Sequence, residues 1–394
     1  MSITARIAGW AKTRFTFAVT ERSFQKHTPT MVSYQLLQAG QTEVKQLQTQ
    51  EYLPDEQRVT VPEINLGSLP LDDKAPVKVL IFVPTYDSQE YIGNRLRAIE
   101  DQCANFPENW QYEIMMVVNG RGQAGLWQHL QGLRTSMGLE DKLTLTYIPK
   151  EENLGMVQSK ITPLNITTQY ARDKGFNVIS CVDDDVTLSD NNFVISIGRL
   201  IQETRERQAP VLIGPETRYA QPRTRFDRVL VTGRKKTKYL KIRGCNIFLW
   251  ADAFPLIPVD GGNEDFVLNF AFGNNTIGIS EAHNQYRLAS TFWAYISQFN
   301  RYKWNDFLGT RYVADHPLFG NQFVEQLRLL RPDQRWLSRQ GLANLFIGAI
   351  NLQAFVQVKA SVLARNIYNV PRSTVDWVGT VDQSSKDIGE ERNT

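Results

Sequence analysis

Val178-Ile179-Ser180-Cys181-Val182-Asp183-Asp184-Asp185 decides how the chain is read. Its first five residues are a short apolar run rich in β-branched side chains, the pattern of a buried strand. Three consecutive carboxylates follow. Like charges at that density repel one another and lose hydration if covered. The cluster therefore belongs either on a solvated turn or beside a cation. At the carboxyl end of a central strand in an open α/β sheet, where ligands bind, the cation reading gains. Oxygen-only ligands suit Mg2+ or Mn2+, and these ions bridge phosphate oxygens.

The surrounding pattern supplies that context. Apolar runs at 77–83, 112–118, 143–148 and 177–182 predict four strands. Between them, Ile92, Leu96, Ile99 and Cys103, then Leu126, Leu130, Leu133 and Met137, then Val157, Ile161, Leu164, Thr168 and Ala171, recur at helical spacing. Phe193, Ile197 and Leu200 continue it after the acidic triplet. Strands alternating with helices imply βαβ units, right-handed crossovers and a mostly parallel sheet flanked by helices, so the fold class is α/β. A strand at 246–250, a turn at 261–265 leading into an apolar helix at 266–272, and a short strand at 276–280 are expected beyond. Residues 291–304 and 341–367 read as helices, the latter with an uncharged stretch from Leu342 to Val358.

The ends differ. Residues 14–20, 31–37 and 42–49 alternate in polarity and suggest a small β meander, and 53–76 is a proline-bearing linker. The expected organisation is an N-terminal β-rich extension and linker over 1–75 and a catalytic α/β domain over 76–310. A helical C-terminal region over 311–370 and a polar tail over 371–394 complete it.

Three cysteines, Cys103, Cys181 and Cys245, form neither a disulfide framework nor a zinc spacing. No apolar run reaches transmembrane length, and 1–9 has no signal-peptide core. A soluble, cytoplasmic protein is the expectation. The net charge of +3 is unevenly spread. Residues 218–243 hold ten Lys or Arg and one acid, Asp227, and the remainder holds 34 basic against 40 acidic residues.

Three βα turns should share one sheet edge: Pro84-Thr85-Tyr86-Asp87 after the first strand, Asn153-Leu154-Gly155 after the third, and Asp183–Asp185 after the fourth. Such an edge cradles a nucleotide, and a helix start near Asn153 and Gly155 offers N–H groups to phosphate. The ordered set, completed by Glu264-Asp265 and Gln298-Phe299-Asn300-Arg301-Tyr302, resembles the inverting family 2 glycosyltransferases of the GT-A (Rossmann-like) fold. The resemblance spans about 77–304. No single motif is specific; the order is.

The resemblance implies a nucleotide-sugar donor, most often a UDP-sugar, and a Mn2+ or Mg2+ ion. Pro84, Tyr86, Asp87, Asn119, Asn153, Gly155, Asp183 and Arg301 would contact the donor. Asp183 and Asp185, with His283 as a third candidate, would hold the metal. Asp265 would be the general base, its pKa adjusted by Glu264 or by burial. Asp184, pointing the other way along an extended chain, would matter least. Asn119 stands in Val117-Val118-Asn119-Gly120, where the family carries paired aspartates. The acceptor would be a saccharide or glycoconjugate. Arg234, Lys235, Lys236 and Lys238, interleaved with aromatics, also suit a polyanion, so a hydroxylated base in DNA is the runner-up and an anionic membrane surface a third partner. A nucleotidyltransferase lacks its Gly-rich phosphate loop here. A non-catalytic nucleotide-sugar-binding module is disfavoured by the intact acids.

Overall fold

Near-continuous burial along one strand shows how the chain is layered. In Val77–Thr85 (β3), Val79 through Val83 are all buried, which requires cover on both faces. The computed structural model describes residues 31–38, 40–48, 59–72, 74–85, 88–119, 123–148, 160–233, 242, 244, 246–257 and 264–286, with residues 291, 292, 295, 346, 348–350 and 353 beyond them. These form one ten-stranded sheet in the order Gln41–Gln48 (β2), Met31–Gln38 (β1), Leu143–Ile148 (β5), Trp110–Asn119 (β4), β3, Val178–Val182 (β6), Asn246–Trp250 (β9), Leu212–Tyr219 (β8), Thr276–Tyr286 (β10) and Val186–Leu188 (β7). The α/β class and mostly parallel core expected from the sequence are what the chain has.

The centre is doubly wound. β3, Trp110–Asn119 (β4), Leu143–Ile148 (β5) and Val178–Val182 (β6) run parallel, and the order β5-β4-β3-β6 reverses between β3 and β6. The crossover helices are Ile92–Cys103 (α1), Ala124–Ser136 (α2) and Ile161–Asp173 (α3). On α1 the buried residues are Ile92, Leu96, Ile99, Gln102 and Cys103, so the i, i+4, i+7 stripe is the face turned inward. Right-handed crossovers place α1 and α2 on one face and α3 on the other.

Part of the expected N-terminal extension joins the main sheet. Met31–Gln38 (β1) and Gln41–Gln48 (β2) form a hairpin turned at Gly40, whose φ of 78° suits glycine. β1 then pairs antiparallel with β5, so the hairpin prolongs the main sheet. The alternation that suggested a meander is present, but the buried face of Val32, Tyr34 and Leu36 belongs to the common core. Residues 59–71 also lay Val59, Val61, Ile64, Leu69 and Leu71 against it. The run at 14–20 lies outside the described residues.

Past β6 the sheet is mixed. Val186–Leu188 (β7), Leu212–Tyr219 (β8), Asn246–Trp250 (β9) and Thr276–Tyr286 (β10) are joined by Asn192–Arg207 (α4), Arg225–Gly233 (α5) and Glu264–Phe272 (α6). β9 is antiparallel to β6 and β8, β10 is parallel to β8, and β7 closes the edge antiparallel to β10. β10 outruns the expected strand: past a register shift between Ile279 and His283 it resumes pairing with β8 as far as Tyr219 and also pairs with β7. Of the two expected C-terminal helices only isolated helical residues are described.

Candidate functional site

The β3–β6 reversal opens a crevice at the carboxyl ends, where an open α/β sheet takes its ligand. The last β3–β6 rung is Phe82 with Cys181. Two residues further on stand Pro84 and Asp183, where the strands no longer pair. Pro84 still pairs with Val117 of β4, so it is tolerated there because its missing N–H falls where no β6 partner remains.

The acidic triplet is a turn, not an extended stretch. Asp184 and Asp185 carry the chain from β6 into β7, and all three acids are half-buried. The alternation that set Asp184 aside therefore has no structural basis. Arg95 of α1 donates from Nε to the Asp184 carbonyl at 3.1 Å and holds the turn against the first crossover helix.

Asp183 meets a residue that motif reading passed over. The Lys160 ammonium, one residue before α3, lies 2.5 Å from Asp183 Oδ1 and 2.9 Å from Glu264 Oε1. It also donates to the Gly244 carbonyl at 2.7 Å. The Lys160 and Glu264 side chains are 10% and 9% exposed, whereas Asp183 keeps 30%. Burial, opposed by Lys160 and reinforced by the neighbouring carboxylate, pushes the Asp183 and Glu264 carboxyls above their ordinary values. The carboxylates overcome the burial of Lys160 and hold it protonated. A lone lysine eighteen residues before the start of the next strand, Val178, carries no signature, and only the fold brings it to the triplet.

Glu264 and Asp265 occupy the first turn of α6 rather than a turn before it, where the helix dipole favours negative charge. Asp265 is half-buried and accepts the Phe266 N–H on Oδ1 at 2.7 Å and the Gly244 N–H on Oδ2 at 3.1 Å. Asn269, one turn on, donates to the Ile242 carbonyl at 3.0 Å and accepts from the Ile242 N–H at 3.2 Å. The exit of the basic segment is thus clasped to α6 through residues 242 and 244. Gly244 permits it: a Cβ there would stand 2.6 Å from Glu264 Oε1 and 3.0 Å from the Asp265 Cβ.

His283 is not brought to the triplet. Asn284 pairs with Leu188 and Tyr286 with Val186, so His283 falls opposite Ser189, at the far end of β7 from Asp185 and on the order of 10 Å along the strand. Its backbone is pinned there: its N–H donates to Ser189 Oγ at 3.0 Å and its carbonyl accepts from Asn192 Nδ2 at 2.9 Å. Burial, and then Arg218, lower its pKa. Asn119 ends β4 on the same sheet edge as Pro84 and Asp183. Tyr86, Asp87, Asn153, Gly155, Arg301, Arg234, Lys235, Lys236 and Lys238 lie outside the described residues.

No protein-family profile matches the chain, and no curated protein matches its sequence. Several solved structures align with it at low identity. A mannosyltransferase from Pyrobaculum calidifontis, PcManGT, solved with GDP-Man and Mn2+, is 15% identical over 75% of this chain and 78% of its own, with a TM-score of 0.43. TarS residues 1–349 from S. aureus, solved with UDP, is 13% identical over 73% of this chain and 92% of its own, with a TM-score of 0.39. A mycobacterial protein is 15% identical over 61% of this chain and 76% of its own, with a TM-score of 0.37.

The oxygen-only acids suit a hard divalent ion. Among the described residues no three Asp, Glu, His or Cys side chains close on one point.

Proposed function

We propose that the protein is an inverting, nucleotide-sugar-dependent glycosyltransferase acting on an acceptor hydroxyl of a saccharide or glycoconjugate. One observation carries this reading: at the crevice where strand order reverses, the donor-side acid Asp183 and the acceptor-side pair Glu264–Asp265 meet through a single buried cation. Carboxylates from two distant motifs gathered at a ligand crevice supply both halves of a displacement.

The donor's nucleotide lies along the carboxyl edge of β3, β4 and β6, beside Pro84, Asn119 and Asp183, and the family resemblance adds Tyr86, Asp87, Asn153, Gly155 and Arg301 to its contacts. Asp265 is held in place by the Phe266 N–H on Oδ1 and the Gly244 N–H on Oδ2. Asp265 takes the acceptor's hydroxyl proton as that oxygen bonds to the anomeric carbon. The bond from that carbon to the diphosphate breaks, the nucleoside diphosphate leaves with the electron pair, and the anomeric configuration inverts. Glu264 is the buried counter-charge of Lys160 rather than the base. Mn2+ or Mg2+ held by Asp185 and the donor's phosphate oxygens would serve as Lewis acid for the leaving group.

The test pairs binding with turnover. A panel of nucleotide sugars with Mn2+ or Mg2+ is screened by thermal shift, since a donor that binds the fold stabilises it by mass action. Asp265→Asn is then expected to keep donor binding and lose transfer by about 10²–10⁴-fold. Absence of any stabilising nucleotide sugar, or near-normal transfer by the variant, overturns the reading.

A further inference from the structure

We propose that Lys160 is the positioning residue of this site, an internal cation that fixes Glu264 and Asp265 relative to Asp183, and not a ligand of the donor. The inference rests on the glycosyltransferase reading above and assigns a role within that same crevice.

A lysine beside a nucleotide crevice would ordinarily be taken for a phosphate ligand. The bonding says otherwise. An ammonium has three hydrogens to donate. Here they meet three protein acceptors: Asp183 Oδ1 at 2.5 Å, the Gly244 carbonyl at 2.7 Å and Glu264 Oε1 at 2.9 Å. None remains for a diphosphate. The three acceptors come from separate elements: the end of β6, the turn before β9 and the first turn of α6. Gly244 extends the tie, because its N–H donates to Asp265 Oδ2. Lys160 thus reaches the base through one residue and touches the donor-side acid directly.

Its anchorage is rigid. α3 is fixed at both ends of its length to the segment after β9, with Asn165 donating to the Ile257 carbonyl at 2.8 Å and Arg172 to the Phe254 carbonyl at 2.8 Å. Buried ion pairs add little net stability over an apolar replacement, so the geometry they impose is the better account of this one.

Three variants test it: Lys160→Met, Lys160→Arg, and Lys160→Met combined with Glu264→Gln, which removes the unpaired buried charge. UDP and GDP serve as binding probes, with transfer measured using the donor found in the panel. The double variant is expected to fold, to bind the nucleotide within about threefold of the parent, and to lose about 100-fold in kcat, the size of effect a misplacement of about 1 Å produces. Lys160→Arg should recover part of that kcat. A nucleotide Kd that rises in step with the loss of kcat/KM while kcat holds makes Lys160 a donor ligand and overturns the proposal, as does an unchanged kcat. A parent protein that turns over no nucleotide sugar overturns the glycosyltransferase reading instead. The tie is then judged by the thermal midpoints of the single and double variants, where additivity of Lys160→Met and Glu264→Gln overturns it and coupling sustains it.

Discussion

The two halves of the sheet are held by different forces. In the drier half, from β5 to β6, the strands are mainly apolar where buried, with only Thr144, Thr146 and Ser180 as buried polar exceptions among 79–83, 114–118, 143–148 and 178–182. Around β7 to β10 buried polar side chains are added to an apolar packing that includes Ile213, Phe248 and Trp250. Asn246 donates to Asn192 Oδ1 at 2.8 Å and to Asn284 Oδ1 at 3.2 Å, Trp250 Nε1 donates to Thr204 Oγ1 at 2.8 Å, and Lys160 and Asn269 clasp the turn before β9. Apolar packing is non-directional and scales with area, so the dry half is robust to exchange among residues of like volume. A buried polar contact depends on particular atoms, and losing one partner leaves the other unsatisfied. Stability should therefore concentrate in the first half and function in the second.

The largest effect should come from the dry half. Phe82 is fully buried in β3, two residues before Pro84. Phe82→Ala is expected to cost about 3–5 kcal/mol, through lost transfer energy and the cavity left behind. Urea unfolding would show this as a lower midpoint with an unchanged slope. Transfer per folded molecule should be little altered, and a kcat loss exceeding the stability loss would break the division between the halves.

Gly244→Ala should invert that balance. The added methyl would stand 2.6 Å from Glu264 Oε1 and 3.0 Å from the Asp265 Cβ, so the Glu264 carboxylate must shift from its place on Lys160. Overpacking of this kind costs about 1–3 kcal/mol. Because the displaced atoms belong to the acid pair, transfer should fall further than the unfolding midpoint implies. Equal loss in both measurements would show that the polar junction is only another piece of packing.

The same division governs what could be read from the chain. β5 and β9 fall where their apolar runs place them, and the stripe on α1 is the buried one, because burial in the dry half is written in local periodicity. The polar junction has no period. Lys160 is unremarkable in Ser159-Lys160-Ile161, and its significance lies in Asp183 and Glu264, each far along the chain. His283 was singled out by its rarity and its place after a strand, yet only the β10–β7 register reveals that it faces the wrong end. Asp184 was set aside by an alternation that holds for strands, and the triplet is a turn. The N-terminal hairpin was legible as two strands but not as an edge of the main sheet, since pairing with β5 depends on a partner more than a hundred residues away.

The smallest effect concerns a group the chemistry never uses. Cys103 closes α1, is 3% exposed, and has its thiol pushed well above its ordinary value of 9.0 by burial first and by Glu100 second, with Lys142 pulling the other way. Near neutral pH it should be inert: native protein at pH 8 leaves Cys103 unmodified by a maleimide, and urea exposes it, as peptide mass spectrometry would show. The raised value also has a sign in stability. The thiol stays protonated in the fold after the unfolded chain has released its proton, so the native state binds more protons above pH 9.0. Its contribution is complete below that pH and is lost as the pH rises toward the folded value, at up to about 1.4 kcal/mol per pH unit. Cys103→Ala should flatten the fall of the urea midpoint above pH 9.0 while leaving its slope at neutral pH unchanged. A variant that falls as steeply as the parent would mean that the thiol reaches water, and that the dry half is less sealed at the base of α1 than its side-chain packing shows.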